Sequence, residues 1–560
     1  MRTLFTILAL VLPLAAAPVK PPNVQHRGTG KKWIAAAGHP LATKAAMDVF
    51  EKGGNAVDAA VAIGLTMGVV DGHNSGIGGG CFMLIHLPDG KVVALDGREM
   101  APAKAHRDMF LRDGKAVSQL SKTGPLASGI PGSLAVYDHV LRKYGKLKLA
   151  DVILPAAEIA ERGFPIDPVW ARKLKVVTQY VRNYPYSASV LLHPDGSPMK
   201  AGEVIEQKDL AKTYRAIAKN GIRHFYRGGF AKKTVAWMEA NGGLITEADF
   251  ANYSFKNREP IVSKYRGHTI YGFPPPSSGG AHIAQILNML EGFEIAAMSE
   301  SQRIHVIIEA MKLAFADRAY WLGDADFAKV PRGLVDRGYA REQAKRISLK
   351  KVTKVSTHGT PPGATEDLFN KHTTHFTAAD KSGFWVACTA TVNTGFGSKV
   401  LIPGTGVIMN NQMDDFSAQP GVPNAFGLLG AEANAVAPGK RPLSSMSPTI
   451  IVKDGRPVMS VGAAGGPTII TQTLLAIVRR IDLGLPLEEC LALPRYHHQW
   501  SPDSVRIERR LSGSVLEDLR ALGHELAPRG DFGASQAIEL GPKGFEGVSE
   551  PRGYGRADGL

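Results

Sequence analysis

Cysteine is scarce in this 560-residue chain: Cys81, Cys388 and Cys490 are the whole complement, and none stands in a CxxC or CxxH spacing. Three isolated thiols exclude a disulfide framework and a zinc ribbon. Beyond the N-terminus no stretch approaches the roughly 18 apolar residues that a spanning helix needs. No G-x-x-x-x-G-K-[ST] loop occurs, and Gly76-Ile77-Gly78-Gly79-Gly80 lacks the last glycine of a dinucleotide fingerprint. H-E-x-x-H is missing, since His305 and Glu309 stand four apart on an expected helix without a second His. G-x-S-x-G is missing as well, which removes the α/β-hydrolase elbow. Nucleotide, metal and cofactor enzymes all lose support, and neither a cofactor nor a metal is expected.

Acidic residues are short only in the first two thirds of the chain. Up to residue 372 there are 49 Lys/Arg against 33 Asp/Glu, and from residue 373 there are 17 against 18. The net +15 is open to nucleic acid, membrane or anionic-substrate readings. No RGG tract, zinc-finger spacing or aromatic-interleaved basic stripe accompanies it, so no nucleic-acid partner is expected. The 61 Gly and 36 Pro exceed a combined share of roughly 12%, which implies many turns, yet stay below the roughly 25–30% of disordered low-complexity chains.

Met1-Arg2-Thr3, an apolar run over 4–14 and Ala15-Ala16-Ala17 read as a secretory signal peptide over 1–17. Pro18 leaves the cut position open. The product is expected to be exported, soluble and periplasmic, with no membrane anchor once the signal is gone. Downstream, the spacing predicts helices over 39–51, over 56–70 with Asn55 as N-cap, and over 132–144, 150–162, 280–291 and 302–321. Strands are expected over 81–86 and 91–95 around Pro88-Asp89-Gly90. Residues 345–372 are polar, basic and broken by Gly-Pro turns, and read as an exposed linker. Further hairpins are expected from 373–379 with 384–393 and from 449–453 with 457–461, followed by a helix over 467–483. This pattern predicts a mixed α+β sandwich rather than a doubly wound parallel sheet.

Four clusters and one lone arginine carry potential chemistry, each with an ordinary alternative. Thr373-Thr374-His375 is either strand material or, if the His372–Thr373 bond breaks, a new N-terminus. There the threonine hydroxyl is the nucleophile and the α-amine its base. Gly465-Gly466 is either a tight turn or a pair of close-approaching N–H groups for an oxyanion. The run Asn410 to Phe416 is either a solvated turn or a holder for an ammonium group. Lys440 to Pro448 is a surface turn or a carboxylate site. Arg98 is a surface ion-pair partner or a fork for a carboxylate.

Together the strings HNSGIGGGCFM (73–83), DGREMAP (96–102), PPPSSGG (274–280), TTHFTAAD (373–380), NNQMDDFSAQPGVPN (410–424), GKRPLSSMSPTI (439–450) and PRYHHQW (494–500) resemble the gamma-glutamyltranspeptidase family over roughly 30–555. The resemblance implies an N-terminal-nucleophile hydrolase with an αββα sandwich. It implies a precursor that cuts itself at His372–Thr373 into a large subunit, 18–372, and a small catalytic subunit, 373–560. These stay paired as one interleaved domain. It further implies Thr373 as processing group and nucleophile, Thr391 as the assisting hydroxyl, and Gly465 and Gly466 as the oxyanion hole. Arg98, Ser444 and Ser445 would hold the substrate α-carboxylate, and Asn393, Gln412 and Asp415 its α-amine. The donor would be glutathione or another γ-glutamyl compound, with water, amino acids or dipeptides as acceptors. Residues 420–437 match the lid of bacterial members, where Phe426 takes the place of a gating aromatic that is often Tyr.

Two other readings compete. A glutaryl-cephalosporin acylase-like amidase would keep the nucleophile but handle a substrate without the α-amine; retention of Asn393, Gln412 and Asp415 argues against it. A non-catalytic amino-acid-binding protein would stay one intact chain.

Overall fold

The computed structural model describes residues 17–362, 374–419 and 432–560. The signal-peptide reading (except Ala17), the His372–Thr373 bond and Phe426 of the lid therefore lie outside the described residues.

Helix starts follow the local chemistry. Asn55 caps Ala56–Val70 in a capping box with Asp58, and Ser299 caps Glu300–Trp321 in one with Gln302. The helices Ser133–Tyr144, Leu149–Arg162, Gly279–Leu290 and Thr468–Ile481 fall where the periodicity predicts them. Pro467 takes the N-cap position of the last.

The strands build two seven-stranded sheets, with every neighbouring pair antiparallel. The first runs Arg556–Gly559, Trp33–Ala37, Thr374–Asp380, Trp385–Thr391, Gly80–His86, Val92–Gly97 and Lys256–Arg258. The second runs Arg27–Gly30, Gly544–Ser549, Ala534–Gly541, Arg456–Ala464, Thr449–Lys453, His268–Gly272 and Ile261–Tyr265. Each sheet mixes strands from before and after residue 373. Cutting the chain there would leave both fragments hydrogen-bonded into both sheets.

The alternation of side chains assigns the layers. Ile34 and Ala36 join Phe82, Trp385, Phe273, Ile450 and Phe545 in a core shared by the two sheets, while Ala35 and Ala37 point into a second core. That second core packs the helices Pro40–Glu51, Ala56–Val70 and Ser133–Tyr144 on the outer face of the first sheet. A third packs Gly279–Leu290, Glu300–Trp321 and Thr468–Ile481 on the outer face of the second. Phe82 and Phe273 stack between the sheets at 4.2 Å. The three thiols are free and buried, with Cys388 and Ala390 in the helix-facing core, consistent with a packing role. No described helix is long and apolar enough to cross a membrane.

Over 345–362 most residues of the expected linker are exposed, but the backbone is not free. Although polar, this stretch is a strap pinned across the second helix layer. Ile347 and Val355 are buried. Thr353 N donates to Glu309 Oε2 at 2.6 Å, Gly359 N to Asp317 Oδ1 at 2.6 Å, and Val352 N to Leu522 O at 2.9 Å. Trp321 and Trp500 donate their indole N–H groups to Gly359 O and Val355 O. A polar strap satisfies its backbone through such partners rather than through water.

Candidate active site

Thr374 is the first described residue of the strand Thr374–Asp380. Its hydroxyl donates to Asp71 Oδ2 at 3.2 Å. Asp71 ends the helix Ala56–Val70, accepts from Asn74 Nδ2 at 2.7 Å and has His73 Nε2 at 3.1 Å. Burial pushes its carboxyl up to about 7, against the opposing charge of Lys173. Asp71, Asn74, Lys173, Thr374, Asn393 and Gly465 line one cavity of about 450 Å³. No local signal marks Asp71 or Lys173 as part of this site, because only the fold brings them to the strand's start.

On the neighbouring strand Thr391 is fully buried and its hydroxyl accepts from Asn393 N at 2.8 Å. Thr374 pairs with Ala390 and Thr391 with Gly80. The glycine run that failed as a nucleotide fingerprint serves this packing: a Cβ on Gly79 would lie 1.8 Å from Thr391 O, and one on Gly78 2.0 Å from Ile408 O. Asn393 adopts φ 79°, donates to Asn411 O at 2.9 Å, and leaves its Oδ1 without a hydrogen-bond donor among the described residues.

Gly465 and Gly466 link the strand Arg456–Ala464 to the helix Thr468–Ile481 with φ 129° and 66°. A Cβ on Gly465 would meet Thr468 Oγ1 at 2.7 Å. Both N–H groups stand at a helix N-terminus, where the dipole favours negative charge.

The remaining expected residues form a closed, buried cluster. Arg98, Gln412, Asp415, Ser444 and Ser445 are each at most 1% exposed. Arg98 donates Nε to Pro442 O at 2.9 Å and Nη2 to Leu443 O at 3.1 Å and to the Asp415 carboxylate. Gln412 Nε2 donates to the same Asp415 oxygen at 2.6 Å. Ser444 Oγ accepts from Met446 N at 3.1 Å. Arg98 and Asp415, expected at opposite ends of a zwitterion, thus pair directly. A buried charge requires an opposite one, and each is the other's partner. Arg441, in the expected carboxylate segment, is structural: it donates to Arg98 O and Asp96 Oδ1 at 2.7 and 3.2 Å.

A further cation, Arg318 on the helix Glu300–Trp321, escaped the sequence reading. It donates Nη2 to Ser445 Oγ at 2.8 Å and Nε to Ser278 Oγ at 2.9 Å, and burial lowers it to about 9. Nothing in the spacing of helix residues marks one arginine among so many.

Glu99 is fully buried 3.6 Å from Arg98 Nη1, and among the described residues neither carboxyl oxygen makes a well-aligned hydrogen bond, although the Gly80 and Glu99 backbone N–H groups lie near. Burial raises it from 4.5 to about 7, with Arg98 opposing. A raised carboxyl contributes stability in full below about pH 4.5 and loses it as pH rises through 7. Glu99→Gln should flatten stability across that window and narrow any deficit, or widen any advantage, relative to wild type above pH 7. Urea unfolding of both proteins at pH 5 and 8 measures this; parallel pH profiles would contradict it.

The sequence matches the Gamma-glutamyltranspeptidase family over residues 42–560. It is 44% identical over 550 residues to the glutathione hydrolase proenzyme of Escherichia coli (strain K12), covering 96% of this chain and 94% of that protein. The cephalosporin acylase from Bacillus halodurans superposes with a TM-score of 0.86 at 29% identity, covering 99% of both chains. A gamma-glutamyltranspeptidase chain from Helicobacter pylori matches with a TM-score of 0.57 at 41% identity, over 61% of this chain and 97% of that one.

Proposed function

This chain belongs to the gamma-glutamyltranspeptidase family and has its enzymatic activity, glutathione hydrolysis with gamma-glutamyl transfer; from that premise we propose how its residues carry out the reaction. The two facing sheets with helices on their outer sides support the αββα sandwich of N-terminal-nucleophile hydrolases. The signal-like N-terminus supports export to a periplasm.

Maturation starts when the Thr373 hydroxyl attacks the His372 carbonyl carbon. The peptide C–N bond gives way to an ester, and water hydrolyses it to a His372 carboxylate and a free Thr373 α-amine. That amine, with an ordinary pKa of about 8, accepts the hydroxyl proton as the oxygen attacks a γ-glutamyl carbonyl. The Gly465 and Gly466 N–H groups stabilise the oxyanion. The leaving amine takes the proton, and a γ-glutamyl ester remains on Thr373. Water then yields glutamate, while an amino acid or dipeptide yields a new γ-glutamyl amide. Thr391 orients the nucleophile from the adjacent strand.

The observation that carries the substrate assignment is the Arg98–Asp415 pair, with Gln412 on the same Asp415 oxygen and Arg318, which holds Ser445, within electrostatic reach of Asp415. An α-amino acid carries both complementary charges. Its carboxylate replaces Asp415 on Arg98, its ammonium replaces Arg98 on Asp415, and no buried charge is left unpaired. A glutaryl group has only the carboxylate and would strand Asp415. The enzyme should therefore hydrolyse γ-glutamyl-p-nitroanilide faster than glutaryl-p-nitroanilide by on the order of 10²-fold or more in kcat/KM, since a site built for a polar group rejects analogues lacking it. Comparable rates would favour the acylase reading that the Bacillus halodurans superposition raises.

A further inference from the structure

The second histidine missing from the sequence around His305 and Glu309 is supplied by the fold. His305 and Glu309 lie one turn apart on the helix Glu300–Trp321. His524 follows the helix Gly513–Ala521, turned inward after Gly523 at φ 99°, with His524 N donating to Leu519 O. The three residues are 0%, 1% and 6% exposed, and one donor atom from each lies within 4.8 Å of the others.

The tautomers suit ligation. His305 Nε2 is 2.6 Å from Ser348 O. A carbonyl only accepts, so Nε2 carries the proton and Nδ1 presents a lone pair, the arrangement typical of a metal-bound histidine. That Nδ1 faces His524 Nε2 at 2.7 Å. Glu309 Oε2 accepts from Thr353 N, while buried Glu309 Oε1 makes no well-aligned hydrogen bond among the described residues and has only an ion-pair partner. Lys312 Nζ stands 3.2 Å from that oxygen and 3.2 Å from Asp503 Oδ1, and His498 Nε2 is 3.0 Å from the same Asp503 oxygen. Two carboxylates against one ammonium leave the cluster a net negative charge.

We propose that His305, Glu309 and His524 form a site for a divalent transition metal of the Zn²⁺ class, a clamp outside the active site that ties the helix Glu300–Trp321 to the C-terminal segment bearing His524. Two imidazoles and a carboxylate match the three-ligand zinc set. On binding, His524 shifts its proton to Nδ1 and Nε2 joins the metal, with no net proton released. Nitrogens bound at about 2.0–2.1 Å around a tetrahedral metal sit roughly 3.3 Å apart, so the rings part by roughly half an ångström. Through Ser348 and Thr353 the metal also fixes the strap that runs toward residue 372. That it bridges two separate fragments rests on the cleavage reading above; metal binding itself does not.

The experiment uses untagged, EDTA-treated enzyme. Co²⁺ titration should give a visible absorption band saturating at one equivalent, bleached by Zn²⁺, and Zn²⁺ should raise Tm. His305→Gln and His524→Gln should each weaken binding at least about ten-fold and remove the Tm rise. The uncut Thr373→Ala chain should bind as wild type does. No saturable band, or a band that both histidine substitutions leave unchanged, would overturn the proposal and leave a proton-sharing histidine pair. Should a histidine variant fail to fold, the wild-type titration and Glu309→Gln decide the question. Failure of chain cleavage would show separately on a denaturing gel.

Discussion

Thr373→Ala should remain one uncut chain on a denaturing gel, where the wild type resolves into fragments of about 355 and 188 residues. Its hydrolysis of glutathione should fall by on the order of 10⁴-fold or more, the scale seen when a nucleophile is deleted. Both losses share one cause. Without the hydroxyl there is no attack on the His372 carbonyl, no free α-amine and no group to accept the γ-glutamyl carbonyl. The fold should survive, because strands from both sides of the cut occupy both sheets whether or not the bond is broken. Thr373→Ser, which keeps the hydroxyl, should still process and turn over, more slowly. An intact but active wild-type chain would defeat the mechanism.

Asp415→Ala should be nearly as damaging, and in two separable ways. It leaves the Arg98 guanidinium fully buried with only the Pro442 and Leu443 carbonyls and a Glu99 carboxyl raised toward neutrality. Breaking a buried ion pair from one side costs about 3–5 kcal/mol, readable as a lower urea midpoint. It also removes the partner for the substrate ammonium, so kcat/KM for glutathione should fall by on the order of 10²-fold or more. The double variant Arg98→Met/Asp415→Leu should recover much of the lost stability, because an apolar pair strands no charge, while remaining inactive. That split between stability and activity distinguishes a substrate-binding pair from a structural one. Unchanged KM and stability in Asp415→Ala would contradict the assignment.

Much of the fold was legible because local signals and tertiary demands agree. Asn55 and Ser299 cap the helices they announce, and the 3.6-residue pattern gives the outer helices close to their ends. Other elements are held from a distance. The hairpin Ile261–Tyr265 to His268–Gly272 turns through Arg266 at φ 45°, a conformation that usually calls for Asn or Gly. The Arg266 side chain is fixed by Asp482 Oδ1 and the Leu290 and Phe293 carbonyls, partners that no short window contains. The strand Gly544–Ser549 reads GFEGVS, with weak strand propensity of its own; its two neighbours in the sheet define it. The strap at 345–362 is largely exposed, as its polar composition implies, but its pinned backbone was not legible, because the carboxylates and indoles that hold it lie far off in the sequence.

The candidate site was legible where contiguous strings carry several roles, as in residues 410–416 and 440–448. Asp71 and Arg318 were not, since each is placed by contacts across the fold, Asp71 with Thr374 and Arg318 with Ser278 and Ser445. The sequence also could not show that Arg98 and Asp415 face each other, because 317 residues separate them.

The central claim is that the γ-glutamyl group passes through an ester on Thr373. Intact-mass spectrometry of wild-type enzyme, mixed with glutathione and quenched in acid during turnover, tests it most directly. The fragment beginning at Thr373 should carry one γ-glutamyl adduct that maps to its N-terminal residue and disappears when substrate is exhausted. Turnover with that fragment unmodified throughout, or an adduct mapped to another residue, would contradict the account.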